Sequence, residues 1–330
     1  MILLLLTGAL AGLALGYVLQ RGGLCFHSMF LQGVGGAGTP RFFLLRGWLL
    51  GVALASVGLA IVYAGGLGEV GQSLNRGLAF RPVGNIGGGL LIGIGMAVAC
   101  SCVSGLFHKL GAGMLGALVG LAGWSVGELL ASRITLPGPT VLRGGDAATI
   151  PGVLGVPRLL VAVLAVMGVV WWRTRSRGDP ALDEPHGPTW SGPVLGVALG
   201  AVTVAGWLLA DLGGASFGPS TVGAIAGIAD GRPPWWLIGF LLALVAGGAV
   251  AAATTSRLWV RGEQRIRYLQ LAGGGVLLGA GGWFAGGCNL GHGLSGAAQL
   301  NVSSWVVVAA MASGVAGVTR ASRALRDRTG

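Results

Sequence analysis

Trp235–Thr254 contains no charged side chain, and the segments Ile2–Leu19, Phe42–Ala64, Pro193–Leu212 and Trp305–Val318 are almost as apolar. About 20 mainly apolar residues are what a helix needs to cross a bilayer. The runs are continuously apolar rather than alternating, which excludes a membrane β-barrel. Only 9% of the side chains are charged and 53% are hydrophobic, too few polar groups to cover a soluble globule. The expected fold is therefore an all-α integral membrane protein. Met1–Leu19 lacks a basic start and an evident cleavage site, so it reads as a retained first span.

In chain order, the spans are expected at Ile2–Leu19, Phe42–Ala64, Gly84–Cys100, Gly111–Ala131, Leu159–Trp172, Pro193–Leu212, Trp235–Thr254, Tyr268–Gly286 and Trp305–Val318. That is about nine transmembrane helices. Between them, Cys25–Gly33, Ser101–His108, Ser216–Ala229 and Asn289–Gln299 are too short to cross and read as re-entrant pieces or breaks. Residues 173–192 hold the longest polar run and read as a linker, with residues 1–172 and 193–330 as two transmembrane halves.

The net charge is +11, and every positive side chain except Lys109 is an arginine. Cytoplasmic placement of Arg173, Arg175, Arg177, Arg257–Arg267 and Arg320–Arg328 agrees with nine crossings and an outside N-terminus. Arg76, Arg81, Arg133 and Arg143 then fall outside. Trp171, Trp172, Trp190, Trp235 and Trp236 read as interfacial anchors.

A recurrence gives the chain its symmetry. Gly87–Gly105 aligns without a gap on Gly273–Gly291, and Gly87, Gly88, Gly89, Leu91, Gly93, Gly95, Ala99, Cys102 and Gly105 all recur. Glycine is abundant here, but a coincident cysteine is not explained by abundance. We read an internal duplication, and the charge map runs the two copies in opposite directions. Two inverted, pseudo-symmetric halves would carry Cys102 and Cys288 toward the bilayer midplane from opposite sides.

The four cysteines lie in or beside apolar runs, too few for a disulfide scaffold, so free thiols are expected. Cys102 and Cys288 sit at the duplicated breaks; Cys100, whose twin is Gly286, reads as structural. Gly287 and its glycine neighbours let the backbone leave helical geometry and approach a small solute. Half-helix N-termini in such a cavity favour an anion, and a neutral thiol adds a weak donor and a polarizable sulfur. His292 and, more weakly, His27 join the candidates, because histidine within a membrane tends to serve function. Glu128 either pairs with an arginine or titrates, while His108 sits near the aqueous edge and His186 in the linker. The alternative is a soft-metal protein, binding or transporting copper or zinc through the Cys/His cluster. No phosphate loop of the GxxxxGK[ST] form occurs, no nucleophile and base stand at a useful spacing, and nothing points to nucleic acid, so an enzyme is not expected.

RGGLCF around Cys25, ACSCVSGLFHKLGAG around Cys102 and AGGCNLGHGLSG around Cys288 resemble the three cysteine motifs of the YeeE/YedE sulfur-transport family, in order and across nearly the whole chain. The resemblance implies a multi-pass thiosulfate importer of a bacterial inner membrane, with nine spans, four short non-crossing helices and two pseudo-symmetric halves. It implies no cofactor. Cys25, Cys102 and Cys288 would line the path and pass thiosulfate along through S–H···S contacts, with His27, Gly287, His292 and Ser295 beside them. A small cytoplasmic sulfur-carrier protein is an implied partner. The chain departs at the middle motif, where Cys100 and Ser101 stand for the usual glycine pair and Ala112 for a glutamate.

Overall fold

The computed structural model describes residues 1–35, 42–65, 78–175 and 190–329, with the backbone of a two-residue antiparallel ribbon, Asp183–Glu184 against Gly187–Pro188. Arg76, Arg177, His186 and half of the expected linker lie outside the described residues. Most of the rest is helical. Long helices are α1 (Ile2–Arg21), α3 (Phe43–Ala64), α4 (Pro82–Ala99), α6 (Gly116–Ser132), α8 (Arg158–Arg175), α9 (Gly192–Gly213), α11 (Trp235–Thr254), α12 (Arg265–Ala285) and α13 (Val302–Thr329). Short ones are α2 (Phe26–Gly33), α5 (Val103–Gly111), α7 (Ile150–Leu154) and α10 (Ala224–Ala229).

Among the described residues, 6 helical stretches are long and apolar enough to cross a membrane. They begin at Ile2, Phe43, Pro82, Gly192, Trp235 and Val302. Helices also form at the other three expected positions. Of these, α6 is 17 residues long, whereas α8 and α12 carry arginines at their ends.

Between helices in lipid there is little hydrophobic gain, so close packing of small residues has to hold the bundle. Gly8, Gly12 and Gly16 of α1 lie on Trp236, Phe240 and Leu244 of α11, the two helices running parallel. Gly47, Gly51 and Gly58 of α3 lie in the same way along Leu195, Leu199 and Val204 of α9. In the centre, α4 and α12 are antiparallel: Gly84 meets Phe284, Gly88 meets Gly281 and Ala285, and Gly95 meets Gly274. Each of the two flanks one further helix, with Gly89 and Gly93 on Val307 and Met311 of α13, and Gly275 and Gly279 on Gly120 and Trp124 of α6.

Basic groups collect at one end. Arg21 lies over Trp190, Arg46 over Trp172, and Arg257 and Arg261 line a cavity with Gln20; Arg323 donates to Val34 O from the C-terminal helix. Toward the other end are Met1, Arg81 and the exposed Arg133–Asp230 ion pair, 2.9 Å long. Trp171 and Trp235 are exposed, in keeping with anchors, but Trp236 is only 4% exposed. It stacks on Phe240 with centroids 5.3 Å apart, because its face of α11 is the one that meets Gly8.

Candidate functional site

Each expected break has its own local cause. After α1, Gly23 takes a positive φ of 64° and turns the chain into Leu24 and Cys25, whose extended backbone (φ −125°, ψ 129°) forms the N-cap of α2. After α4, Cys100 takes φ 46° and ends the helix; Cys102, also extended, becomes the N-cap of α5 and its Sγ accepts from Gly105 N at 3.3 Å. After α12, Gly286 takes φ 78° at the position equivalent to Cys100. The chain then reaches Cys288, whose Sγ accepts from Leu290 N at 3.3 Å, and winds through the π-helical turn Gly291–Gly296.

Two of the thiols meet. Cys25 Sγ and Cys102 Sγ are 3.5 Å apart, both buried and both free, in contact without a disulfide. A Cβ on Gly105 would lie 3.2 Å from Cys102 Sγ, 3.3 Å from Cys25 Sγ and 2.6 Å from Ser101 Oγ, so only glycine leaves the pair room. Cys102 Sγ is 3.4 Å from Ser104 Oγ, which accepts from Asn289 Nδ2 at 2.7 Å. Asn289 is the neighbour of Cys288, itself fully buried. A thiol, a hydroxyl and an amide therefore join the two duplicated breaks, and Asn289 Oδ1 is buried without a hydrogen-bond partner among the described residues.

The remaining expected residues divide between frame and lining. His292 is fully buried, with Nδ1 3.0 Å from Ser304 Oγ and Nε2 3.0 Å from Ala285 O. A carbonyl can only accept, so Nε2 carries the proton and Nδ1 accepts from the serine. Gly287 packs beneath that ring, where a Cβ would come within 2.9 Å of it. Ser295 donates to Pro219 O at 2.5 Å, and Trp48 Nε1 donates to Gly293 O at 2.7 Å. His27 is buried beside Cys25 at the start of α2. His108 is 3% exposed, with Nδ1 2.7 Å from Gln20 Oε1, and lies beside Lys109 in the lining of a cavity at the basic end.

Among the described residues Glu128 pairs with no arginine. Its Oε1 accepts three backbone N–H groups, from Gly223, Ile225 and Ala226 at 3.0–3.2 Å, at the start of α10. Three orphan donors at a helix start satisfy Oε1 of this buried carboxyl group, while Oε2 is buried without a hydrogen-bond partner among the described residues.

On the Cys25 side the thiol pair opens toward the basic end. A cavity of about 290 Å³ is lined by Cys25, Ser28, His108, Lys109, Arg257 and Arg261. Lys109 Nζ donates to Ser101 Oγ at 3.3 Å, one residue from Cys102. The N-terminus of α2, the Cys25 thiol and the cations Lys109, Arg257 and Arg261 face this volume beside the C-terminal ends of α1 and α5, and the cations and the sulfur suit a small, soft anion. Among the described residues no three His, Cys, Asp or Glu side chains are grouped to hold a metal ion. Ser104, Asn289, Trp48 and Gln20 escaped sequence reading, being ordinary polar or aromatic residues whose partners lie far along the chain.

Comparison with known proteins follows the same line. A thiosulfate transporter of Spirochaeta thermophila is 30% identical over 327 residues, covering 91% of this chain and 93% of its own length. A thiosulfate transporter of Escherichia coli is 28% identical over 340 residues, covering 94% and 93%. The family model for sulphur transport matches residues 21–317, so the chain belongs to the sulphur transport family of membrane proteins.

Proposed function

We propose that this protein imports thiosulfate, or a closely similar small sulfur oxyanion, across a bacterial inner membrane along a path lined by Cys25, Cys102 and Cys288. The observation that carries the reading is the buried contact of Cys25 with Cys102, linked through Ser104 and Asn289 to the break that holds Cys288. The activity named for two relatives that match nearly end to end points to the same solute. A thiosulfate sulfur meets neutral thiols as weak donors and polarizable contacts, where a thiolate would repel it. His292, Gly287 and Ser295 hold the second break in shape, and His27 sits behind Cys25. A small cytoplasmic sulfur-carrier protein is the proposed recipient.

Nine crossings in two inverted halves, residues 1–172 and 193–330, belong to the same proposal. Supporting it, the contact of Gly88 with Gly281 and Ala285 recurs with the halves exchanged, as Gly274 with Gly95 and Ala99. Antiparallel packing of two equivalent helices needs a two-fold axis across them, the signature of an inverted repeat. The arginine-rich end is then cytoplasmic.

The test is thiosulfate uptake, or growth on thiosulfate as sole sulfur source, in a bacterial strain without its own importers. The wild-type gene is expected to restore both. Serine keeps the size and the hydroxyl donor but not the sulfur, and each of Cys25→Ser, Cys102→Ser and Cys288→Ser is expected to lower uptake about tenfold or more, a barrier change of about 1.4 kcal/mol. Undiminished uptake in the triple variant, with membrane expression verified, would sink the relay.

A further inference from the structure

Arg81 and Arg267 stand 186 residues apart, the same offset that superposes the two copies of the duplication. Each begins a repeat helix or its cap and reaches toward the break at the end of the other one. Arg267 is spent there: its guanidinium donates to Val98 O at 3.4 Å and to Ala99 O, the last carbonyls of α4 before Cys100. At the equivalent end of α12 that work is already done. Ala285 O accepts from Asn85 Nδ2 at 2.8 Å and from His292 Nε2 at 3.0 Å. The positions matching Asn85 and His292 in the other copy are Leu271 and Leu106, which have nothing to donate. So Arg267 closes the basic end as a structural group, and its twin is released from that duty.

Arg81 is placed for something else. It is the N-cap of α4, its N–H donates to Asn85 Oδ1 at 2.7 Å, and the neighbouring Phe80 is bridged to Leu142, which fixes its backbone. Its side chain lines a cavity of about 240 Å³ together with Gly84, Ser132, Thr135, Trp283 and Phe284. Nη2 comes within 3.5 Å of where Gly286 would carry a Cβ, two residues before Cys288. The Arg81 guanidinium and Thr135 line a volume that suits a small oxyanion, at the end opposite the basic loops, while Ser132 beside them donates its hydroxyl to Leu129 O at 2.8 Å. An arginine presents five donors in a fixed fork and stays charged, which suits a planar or tetrahedral oxyanion.

We propose that Arg81, with Thr135, forms the mouth site that captures the dianion before it reaches Cys288. The proposal rests on the transport reading and names its first binding step. The measurement is the concentration dependence of radiolabelled thiosulfate uptake, with anion-dependent thermal stabilisation of the purified protein in detergent as a second readout. Arg81→Gln is expected to raise half-saturation tenfold to a hundredfold, the range for a lost charge-assisted contact, with the effect falling on half-saturation rather than maximal rate. Arg81→Lys keeps the charge and is expected to lie between. Arg133→Gln removes the same charge from the same end, outside the proposed site, and is expected to leave half-saturation unchanged. Arg267→Gln is expected to lower the unfolding temperature instead.

Unchanged half-saturation in Arg81→Gln, or an equal rise in Arg133→Gln, overturns the mouth site and leaves thiosulfate import standing. If the wild type fails to take up thiosulfate, the transport reading falls and stabilisation decides the site. Stabilisation by millimolar sulfate or thiosulfate that is lost in Arg81→Gln supports an oxyanion mouth, and equal stabilisation of both proteins refutes it.

Discussion

Cys100 is the residue where this chain departs most plainly from its own twin. It holds φ 46°, a left-handed conformation that costs an L-residue about 1–2 kcal/mol, whereas Gly286 does the same at the other break without a Cβ. Its thiol is exposed and donates to Ala97 O, away from the Cys25–Cys102 pair. Cys100→Gly is therefore expected to leave uptake intact and to raise stability by about 1 kcal/mol, less the larger chain entropy glycine brings to the unfolded state. Thermal unfolding in detergent measures the one, and an uptake assay the other. Loss of transport in that variant would place Cys100 among the functional thiols. His292 gives the opposite expectation. Replacing it by Leu leaves Ala285 O with Asn85 alone and Ser304 Oγ without its ring partner, at a cost of about 1–3 kcal/mol for each buried group left unmade. His292→Leu should lower the unfolding temperature before any effect on the solute is considered.

The helices make their contacts through glycine, and this is the scale at which sequence and structure agree best. Apolar length located the long helices to within about five residues, except that α13 runs on past the expected end at Val318 to Thr329, and the breaks fell where Gly23, Cys100 and Gly286 turn the backbone. What hydropathy did not reveal is the content of the breaks. Ser101–His108 was expected as a break, yet Val103–Gly111 is a helix, since Cys102 and Gly105 cap it locally while its apolar residues are buried on all sides. Trp236 looks like an anchor by position and is core by partner, because aromatic side chains at a helix end satisfy either role. The equivalence of Arg81 and Arg267 was legible from the same offset as the cysteines, but nothing in sequence says that Asn85 frees one of them. A packing prediction follows at this scale. A side chain at Gly12 would put its Cβ 2.8 Å from the carbonyl carbon of Phe240, so Gly12→Leu must push α1 off α11. Overpacking costs about 1–3 kcal/mol in compact interiors, and the unfolding temperature of Gly12→Leu should fall accordingly, while Gly273→Leu, with open space around it, should not change it.

For the molecule as a whole the question is what would drive the proposed import of a dianion into a cell that is negative inside. Each elementary charge moved across the membrane is worth about 2.3 kcal/mol per 100 mV, so a dianion entering against 100 mV meets about 4.6 kcal/mol. At about 1.4 kcal/mol per tenfold ratio, a passive path would hold the internal concentration about a thousandfold below the external one. Import against that gradient needs a coupled cation or removal of the solute inside. Glu128 is the buried carboxylate a proton symport would use, but its Oε1 is occupied by three amides of the α10 start, which leaves Oε2 alone to carry a proton. A Gln at that position presents the same oxygen to the same donors, so Glu128→Gln is expected to keep both fold and uptake. The Lys109, Arg257 and Arg261 cavity beside Cys25 instead offers the anion a waiting position at the proposed cytoplasmic end. We infer that consumption by a sulfur-accepting protein pulls transport forward. In proteoliposomes with an inside-negative potential and no acceptor enclosed, thiosulfate should equilibrate without accumulating, and enclosing an acceptor should raise the trapped label severalfold. Accumulation above the external level without acceptor, dependent on a pH gradient and abolished by Glu128→Gln, would decide for symport through that carboxylate.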